Sequence, residues 1–360
     1  PVTYLRIVQA ALLPAILYYL SRFLIVHVSA RGLATSGEEG PADDAYTTGE
    51  AGEPQSFFKL QGLVFVASLG TLIVLLLSGF TVFRSVSLAM LVTVVVSAFD
   101  PEIRLTPKRL LAAVEKAARG GIALIAAAAS VGIVVGVVTL TGVGSKLPAT
   151  IVPLAQDNLF MALSLLMLSS IVLGMGLPSA VCYLLLATLI GPALGGLGVP
   201  PLAAHLFIFY FGLMSMVTPP VALAAYTAAS IAGSSIMRTA FTAFRFSLAG
   251  FALPYLFVYR PELLMLSSDG GSAAPLEIAV AFTLAALGIW PFAAAIAGHL
   301  TGPLNTVLRT LLFAAALGLF MPIGQPLFDG LAVTLANIVG AMLLAGVLAF
   351  ERLNARRAVA

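Results

Sequence analysis

Charge is scarce in this chain. Of its 360 residues only 9% are Asp, Glu, Lys or Arg, against roughly 25% in ordinary soluble domains, which excludes a typical water-soluble protein. The net charge of +3 is small and scattered, and no basic-aromatic interleaving of the kind single-strand binders use is present, so nucleic acid is excluded as a partner. Cysteine is rarer still. Cys182 stands alone, no disulfide can form within the chain, and its apolar surroundings give it the reading of a small buried residue. An ordered secretory signal is missing as well: the chain opens at Pro1 without a basic n-region, h-region and cleavage site in sequence. The expectation is a fragment whose N-terminal portion is missing.

What is abundant is apolar sequence, 60% of residues at a mean hydropathy of +1.08. It falls in runs long enough to cross a hydrocarbon layer of about 30 Å. Windows of about nineteen residues give spans near 5–28, 61–79, 83–98, 120–142, 202–232, 240–258, 276–298, 303–322 and 330–350. The stretch 158–193 is apolar throughout but is interrupted at Gly174-Met175-Gly176-Leu177-Pro178-Ser179. Each flank is too short to cross at about 1.5 Å per residue, so the stretch reads as a re-entrant hairpin. The fold class is therefore all-α: a polytopic membrane protein with about nine spanning helices, one re-entrant helical hairpin and one broken helix.

Basic residues orient this topology. With the hairpin re-entrant, fourteen of the 18 Lys and Arg residues fall to one face, and only Arg6, Arg84, Lys146 and Arg260 fall to the other. Positive charge marks the cytoplasmic side, so the C-terminus is expected in the cytoplasm of a bacterial inner-membrane protein and the hairpin opens outward. A single crossing by 158–193 would abolish the asymmetry. The acidic stretch 31–55, with Glu38, Glu39, Asp43, Asp44, Glu50 and Glu53, reads as a solvated linker. Thr106-Pro107 has the form of an N-cap followed by a first-turn proline. The helix after it is either interfacial, with Lys108, Arg109, Lys116 and Arg119 opposite Leu110, Leu111 and Val114, or a basic stop before the next span.

The centre of the chain is uncharged: from Asn158 to Met237 there is no Asp, Glu, Lys or Arg. Proton relays place carboxylates or histidine chains inside the membrane, and here His205 is the sole histidine, read as an interfacial side chain. Two helix breaks stand in their place, the tip at 174–179 and Val217-Thr218-Pro219-Pro220-Val221. Proline removes an amide donor and clashes with the preceding turn, so both breaks leave carbonyls unpaired at membrane depth. Such carbonyls must be buried in protein or face a cavity. Broken helices near the midplane are the usual ion and substrate sites of secondary transporters. The hydroxyls of Ser179 and Thr218 add neutral oxygens, which suit a monovalent cation that must be released, and Na⁺ coupling is the expectation. Tyr255 and Tyr259 read as interfacial anchors, and Trp290 as packing.

At these residues the sequence resembles the large membrane subunit of tripartite ATP-independent periplasmic (TRAP) transporters, most closely the fused permeases that work with TAXI-type binding proteins. The resemblance is carried by the 174–179 tip, by Gly198-Val199-Pro200-Pro201-Leu202-Ala203-Ala204-His205, and by Thr218-Pro219-Pro220-Val221-Ala222-Leu223-Ala224. Gly132–Gly142 and Thr106-Pro107-Lys108-Arg109 add to it, so that it spans roughly residues 100–265. It implies an elevator-type, Na⁺-driven importer that receives an organic acid from a periplasmic binding protein. It also implies a small membrane subunit, or its fused equivalent in a missing N-terminal part. Carried over, it selects Gly174, Gly176, Pro178, Ser179, Thr218, Pro219 and Val221 as Na⁺ ligands, mostly through backbone oxygens. Ser179, Thr218 and Pro220 are the candidate substrate contacts. Such transporters carry two inverted repeats, and this sequence has only one tip-and-break pair. The resulting division is an N-terminal span with acidic linker (1–60), two spans with a basic helix (61–119), a transport-type repeat (120–265) and a three-helix extension (266–360).

Other functions compete. Proton coupling would run through His205, and a channel would need a filter or charged ring. An intramembrane serine hydrolase would need Ser179 and His205 as nucleophile and base. Ser179 follows proline rather than sitting in a Gly-x-Ser-Gly turn, and nothing supplies a filter, so an enzyme is not expected.

Overall fold

The computed structural model describes residues 3–36, 60–99, 104, 106–142, 146, 153, 158–175, 177, 179–232, 234–267, 271–300, 302–321, 326–328 and 331–359. Its elements are helices α1 (Tyr4–Ser36), α2 (Leu60–Leu77), α3 (Val82–Ser97), α4 (Pro107–Thr141), α5 (Leu159–Gly174), α6 (Ser179–Gly196), α7 (Pro201–Met214), α8 (Leu223–Ala232), α9 (Ile236–Tyr259), α10 (Pro275–Ala297), α11 (Thr306–Phe320) and α12 (Leu335–Val359). A short antiparallel pair, β1 (Pro326–Phe328) and β2 (Leu331–Thr334), interrupts them before α12. The chain is a multi-pass, all-helical membrane protein, as its composition requires.

Among the described residues five helical stretches are long and apolar enough to cross a membrane: Tyr4–Gly32, Ser179–Gly196, Ile236–Tyr259, Pro275–Ala297 and Leu335–Leu353. Shorter apolar helices lie at Gly62–Leu77, Val82–Ser97, Leu159–Gly174, Pro201–Val217 and Thr306–Phe320. The second arm of the hairpin is thus longer than its sequence suggested. Its helix continues past Pro192 to Gly196, and 18 residues rise about 27 Å. Length alone therefore does not make that arm re-entrant.

The chain divides into two compact units, Pro1–Val8 with Asp43–Ala129, and Gln9–Ala42 with Ser130–Ala360. In the first, α2 and α3 pair across a turn in which Gly79 adopts φ 83°, a left-handed conformation that favours glycine. The amides of Gly79 and Phe80 donate back to the carbonyls of Leu76 and Leu75 and close the helix end. The Ser68 and Thr93 hydroxyls bond across the pair at 2.6 Å. Further along, Thr106 accepts from the Arg109 amide at 3.4 Å and Pro107 opens α4, which runs unbroken to Thr141. The basic stretch and the following apolar run are one helix, not an interfacial helix followed by a separate span. Of the acidic stretch 31–55, the part through Ser36 completes α1, and the remainder lies outside the described residues.

In the second unit α7 is the hub, packing against α5, α6 and α9. Phe207 and Phe211 meet edge to face at 4.7 Å, and the Tyr255 ring lies 5.9 and 6.0 Å from them. Such offset aromatic contacts add to simple burial. Tyr255 is thereby a core residue, 8% exposed, rather than the interfacial anchor its place near a span end suggested. Its hydroxyl donates to Ser164 at 3.2 Å. Helices α10, α11 and α12 form a second stack with a core of Ala294, Leu308, Leu312, Ala315 and Leu319. Backbones approach closely there: a Cβ on Gly340 would meet the Ala315 carbonyl at 2.8 Å.

Candidate functional site

The helix break expected at Thr218 is present. After α7 the backbone tightens to a 3₁₀ turn, Ser215–Val217, and becomes extended at Thr218 (φ −95°, ψ 124°). It then passes the cis Pro219-Pro220 bond and turns through Ala222 at φ 37° into α8. Neither proline can donate to the preceding turn. Two carbonyls before the break find donors at Thr218: its hydroxyl donates to the Met214 carbonyl at 2.7 Å, and its amide donates to the Ser215 carbonyl at 3.4 Å.

The hairpin meets this break at Gly174, the last residue of α5. The buried Ser215 hydroxyl lies 3.0 Å from the Gly174 carbonyl and 2.6 Å from that of Gly212, with one proton to share between them. A Cβ on Gly174 would stand 2.7 Å from Cys182 Sγ and 2.9 Å from Ser215 Oγ. One on Gly212 would stand 3.1 Å from the same sulfur. Glycine at both positions lets α5, α6 and the end of α7 close on one another, with Cys182 filling the space between. This close approach puts carbonyl and hydroxyl oxygens together without a charged side chain.

The expected site residues divide as follows. Gly174 is part of the junction. Thr218 is half-buried at its edge and, with Met175, lines a cavity of about 580 Å³. Pro219 and Val221 are half-buried, while Pro220 and Ser179 are exposed. Gly176 and Pro178 lie outside the described residues. Ser215 was not anticipated. Nothing distinguishes it in the sequence from any other helical serine except its place three residues before Thr218. Among the described residues no group of three or more His, Cys, Asp or Glu is arranged to hold a metal ion. The cavity beside Thr218 is walled by aromatic and aliphatic side chains, and Ser164, Tyr255 and Tyr259 are its other polar members. His205, read as interfacial, is exposed and pairs through Nδ1 with the Tyr183 hydroxyl at 2.9 Å.

Arg260, which the charge count places on the face with fewer basic residues, is 1% exposed. It follows α9 in a turn outside the spanning helices. Its Nη2 donates to Asn337 Oδ1 at 2.9 Å and its Nε to the Phe320 carbonyl at 3.3 Å. Asn337 in turn donates to the Gly318 carbonyl at 2.8 Å and accepts from the Thr334 amide at 2.9 Å. Burial lowers the Arg260 pKa below its usual value, against the opposing pull of nearby Glu262. Burial likewise raises the Glu262 carboxyl, whose Oε2 is buried with no hydrogen-bond partner.

These features sit on a chain whose residues 1–269 match the family described as tripartite ATP-independent periplasmic transporter, DctM component. No curated protein and no solved structure matches it. The family is that of the large membrane component of TRAP transporters, which generally work with a periplasmic binding protein and a small membrane subunit, and its business is transport rather than catalysis. The match covers the hairpin, the break and their junction, and extends well past half of the chain. The chain therefore belongs to the DctM component family of tripartite ATP-independent periplasmic transporters.

Proposed function

We propose that the chain is the permease component of a Na⁺-driven secondary transporter that imports an organic acid delivered by a periplasmic binding protein. In this reading residues 120–265 are the transport repeat, with α5 and α6 as a hairpin re-entrant from the outer side, and 266–360 are an extension. The observation that carries it is the contact of Gly174 with Ser215, which joins the hairpin to the helix break through uncharged oxygens. A hard monovalent cation takes neutral oxygen ligands, and unwound carbonyls are the usual Na⁺ donors of secondary transporters. The ligands are the oxygens of Gly174, Gly176, Pro178, Ser179, Thr218, Pro219 and Val221, and the solute meets Ser179, Thr218 and Pro220. For Thr218 to serve, its hydroxyl oxygen coordinates the ion through a lone pair while its O–H still donates to the Met214 carbonyl, a division a hydroxyl allows.

The test is uptake of radiolabelled organic acids by the complete transporter in proteoliposomes, with its binding protein, across a Na⁺ series. Ser179→Ala and Thr218→Ala each remove one oxygen, and a lost contact of hydrogen-bond strength is about 1 to 3 kcal/mol. That weakens Na⁺ dependence roughly five- to hundred-fold while the protein stays folded. His205→Ala is expected to matter less. Wild-type Na⁺ dependence in both hydroxyl variants, with transport abolished by His205→Ala, would replace Na⁺ coupling with proton coupling.

A further inference from the structure

Two arginines from different helices converge on the end of α10. Arg245, on α9, donates through Nε at 3.0 Å and through Nη2 to the Ile296 carbonyl. Arg309, in the first turn of α11, donates through Nε to the Ala295 carbonyl at 2.9 Å. Guanidinium groups at a helix C-terminus are favoured because they meet orphan carbonyls and the negative end of the macrodipole. That role occupies only part of each fork, since arginine has five N–H donors. Among the described residues neither guanidinium meets a carboxylate.

Both arginines line a cavity of about 480 Å³ together with Thr306 and Thr310. Leu248 and Phe313 complete its wall, and both also line the apolar cavity of about 580 Å³, which continues over Phe251 and Leu317. A cationic end with hydroxyls thus runs directly into an apolar groove. The cationic end lies where α10, a helix of membrane-crossing length, ends and α11 begins.

We propose that this composite groove binds an anionic phospholipid, its phosphate held by Arg245 and Arg309 and its acyl chains laid over Leu248 and Phe313. Basic pockets between spanning helices take anionic headgroups in general, and arginine matches a phosphate through paired N–H groups. A zwitterionic lipid would bring its own cation against the two guanidinium groups. A free phosphate would leave the apolar half of the groove unfilled. The site uses residues beyond the family match as well as within it, and it does not depend on which ion drives transport.

The test is native mass spectrometry of the full chain, delipidated in detergent and titrated with dioleoylphosphatidylglycerol, dioleoylphosphatidylcholine or inorganic phosphate. Phosphatidylglycerol is expected to be retained preferentially. Near a membrane surface each basic residue strengthens anionic lipid binding about five-fold. Arg245→Gln or Arg309→Gln should weaken retention by about that factor, and the double variant by roughly thirty-fold. Arg309→Lys keeps the charge and should keep most of the preference. Phe313→Ala, at a position already 44% exposed, should weaken lipid retention without changing the response to phosphate. Equal retention of the two lipids by the unaltered chain would overturn the proposal, as would an unchanged preference in a folded double variant. Inorganic phosphate retained as well as the lipid would also overturn it, by reducing the site to an anion site. If the double variant fails to fold, the single variants and Arg309→Lys decide the question.

Discussion

Gly174 has no room for even a methyl group. Its would-be Cβ meets two side chains at once, Cys182 Sγ at 2.7 Å and Ser215 Oγ at 2.9 Å, and both belong to helices that are themselves packed. Gly174→Ala is therefore expected to destabilise by about 1 to 3 kcal/mol, the usual cost of overpacking. Thermal unfolding in detergent would show it as a lowered midpoint, and Cys182→Ala added to Gly174→Ala should recover part of the loss. A Gly174→Ala protein as stable as the unaltered chain would mean that the junction is loose. At this scale the sequence was half legible. Glycine before a Met-Gly-Leu-Pro tip announced a turn, but the reason for glycine at 174 is the approach of Cys182 together with a serine 41 residues away. No local pattern shows that partner.

At the scale of elements, the turn after α9 fastens three helices. Arg260 joins the end of α9 to the end of α11 and, through Asn337, to the first turn of α12. A buried arginine so placed is costly unless its donors are met, and its Nη1 is buried without a partner. Glu262 contributes charge from the same turn. Burial raises its carboxyl, so the folded chain keeps that proton to a higher pH than the unfolded chain does. The stability tied to the protonated form is whole below the ordinary carboxylate range and is lost as pH rises through the raised value. Glu262→Gln should therefore raise the melting midpoint at neutral pH and leave it unchanged in acid. Equal midpoints for the two proteins across the whole pH range would show that this carboxyl carries no such penalty. Hydropathy placed most helices within a few residues because each span is a property of its own window. It saw Arg260 only as a charge beside a span, since its partners lie 60 and 77 residues on. It likewise gave no sign of β1 and β2, which are too short to leave a period-two pattern.

For the whole molecule the testable quantity is sidedness. Fourteen of 18 basic residues lie on one face when the hairpin is re-entrant, and the expected outcome is that both the acidic stretch and the C-terminus are cytoplasmic. Cysteines at Ser36 and Ala358, with Cys182 replaced, should resist an impermeant thiol reagent in intact cells and react after lysis. Labelling of both from outside would invert the topology. Fold class was legible at this scale because bilayer composition is a bulk property. How the spans pack was not, since lipid-facing and protein-facing apolar residues share one hydropathy: Phe83 is 87% exposed while Phe207 is fully buried.

The uncharged stretch from Asn158 to Met237 has an electrical consequence. Moving one elementary charge through 100 mV exchanges about 2.3 kcal/mol with the membrane potential. Whatever portion of these residues shifts through that field in a transport cycle takes no ionised carboxylate, lysine or arginine with it. Its return without cargo is then indifferent to voltage, and the potential acts only on the ions and solute aboard. Voltage jumps applied to the complete transporter in a supported bilayer should evoke no capacitive charge movement while Na⁺ and solute are both withheld. A transient in their absence would mean that fixed charge from elsewhere in the assembly travels with this stretch.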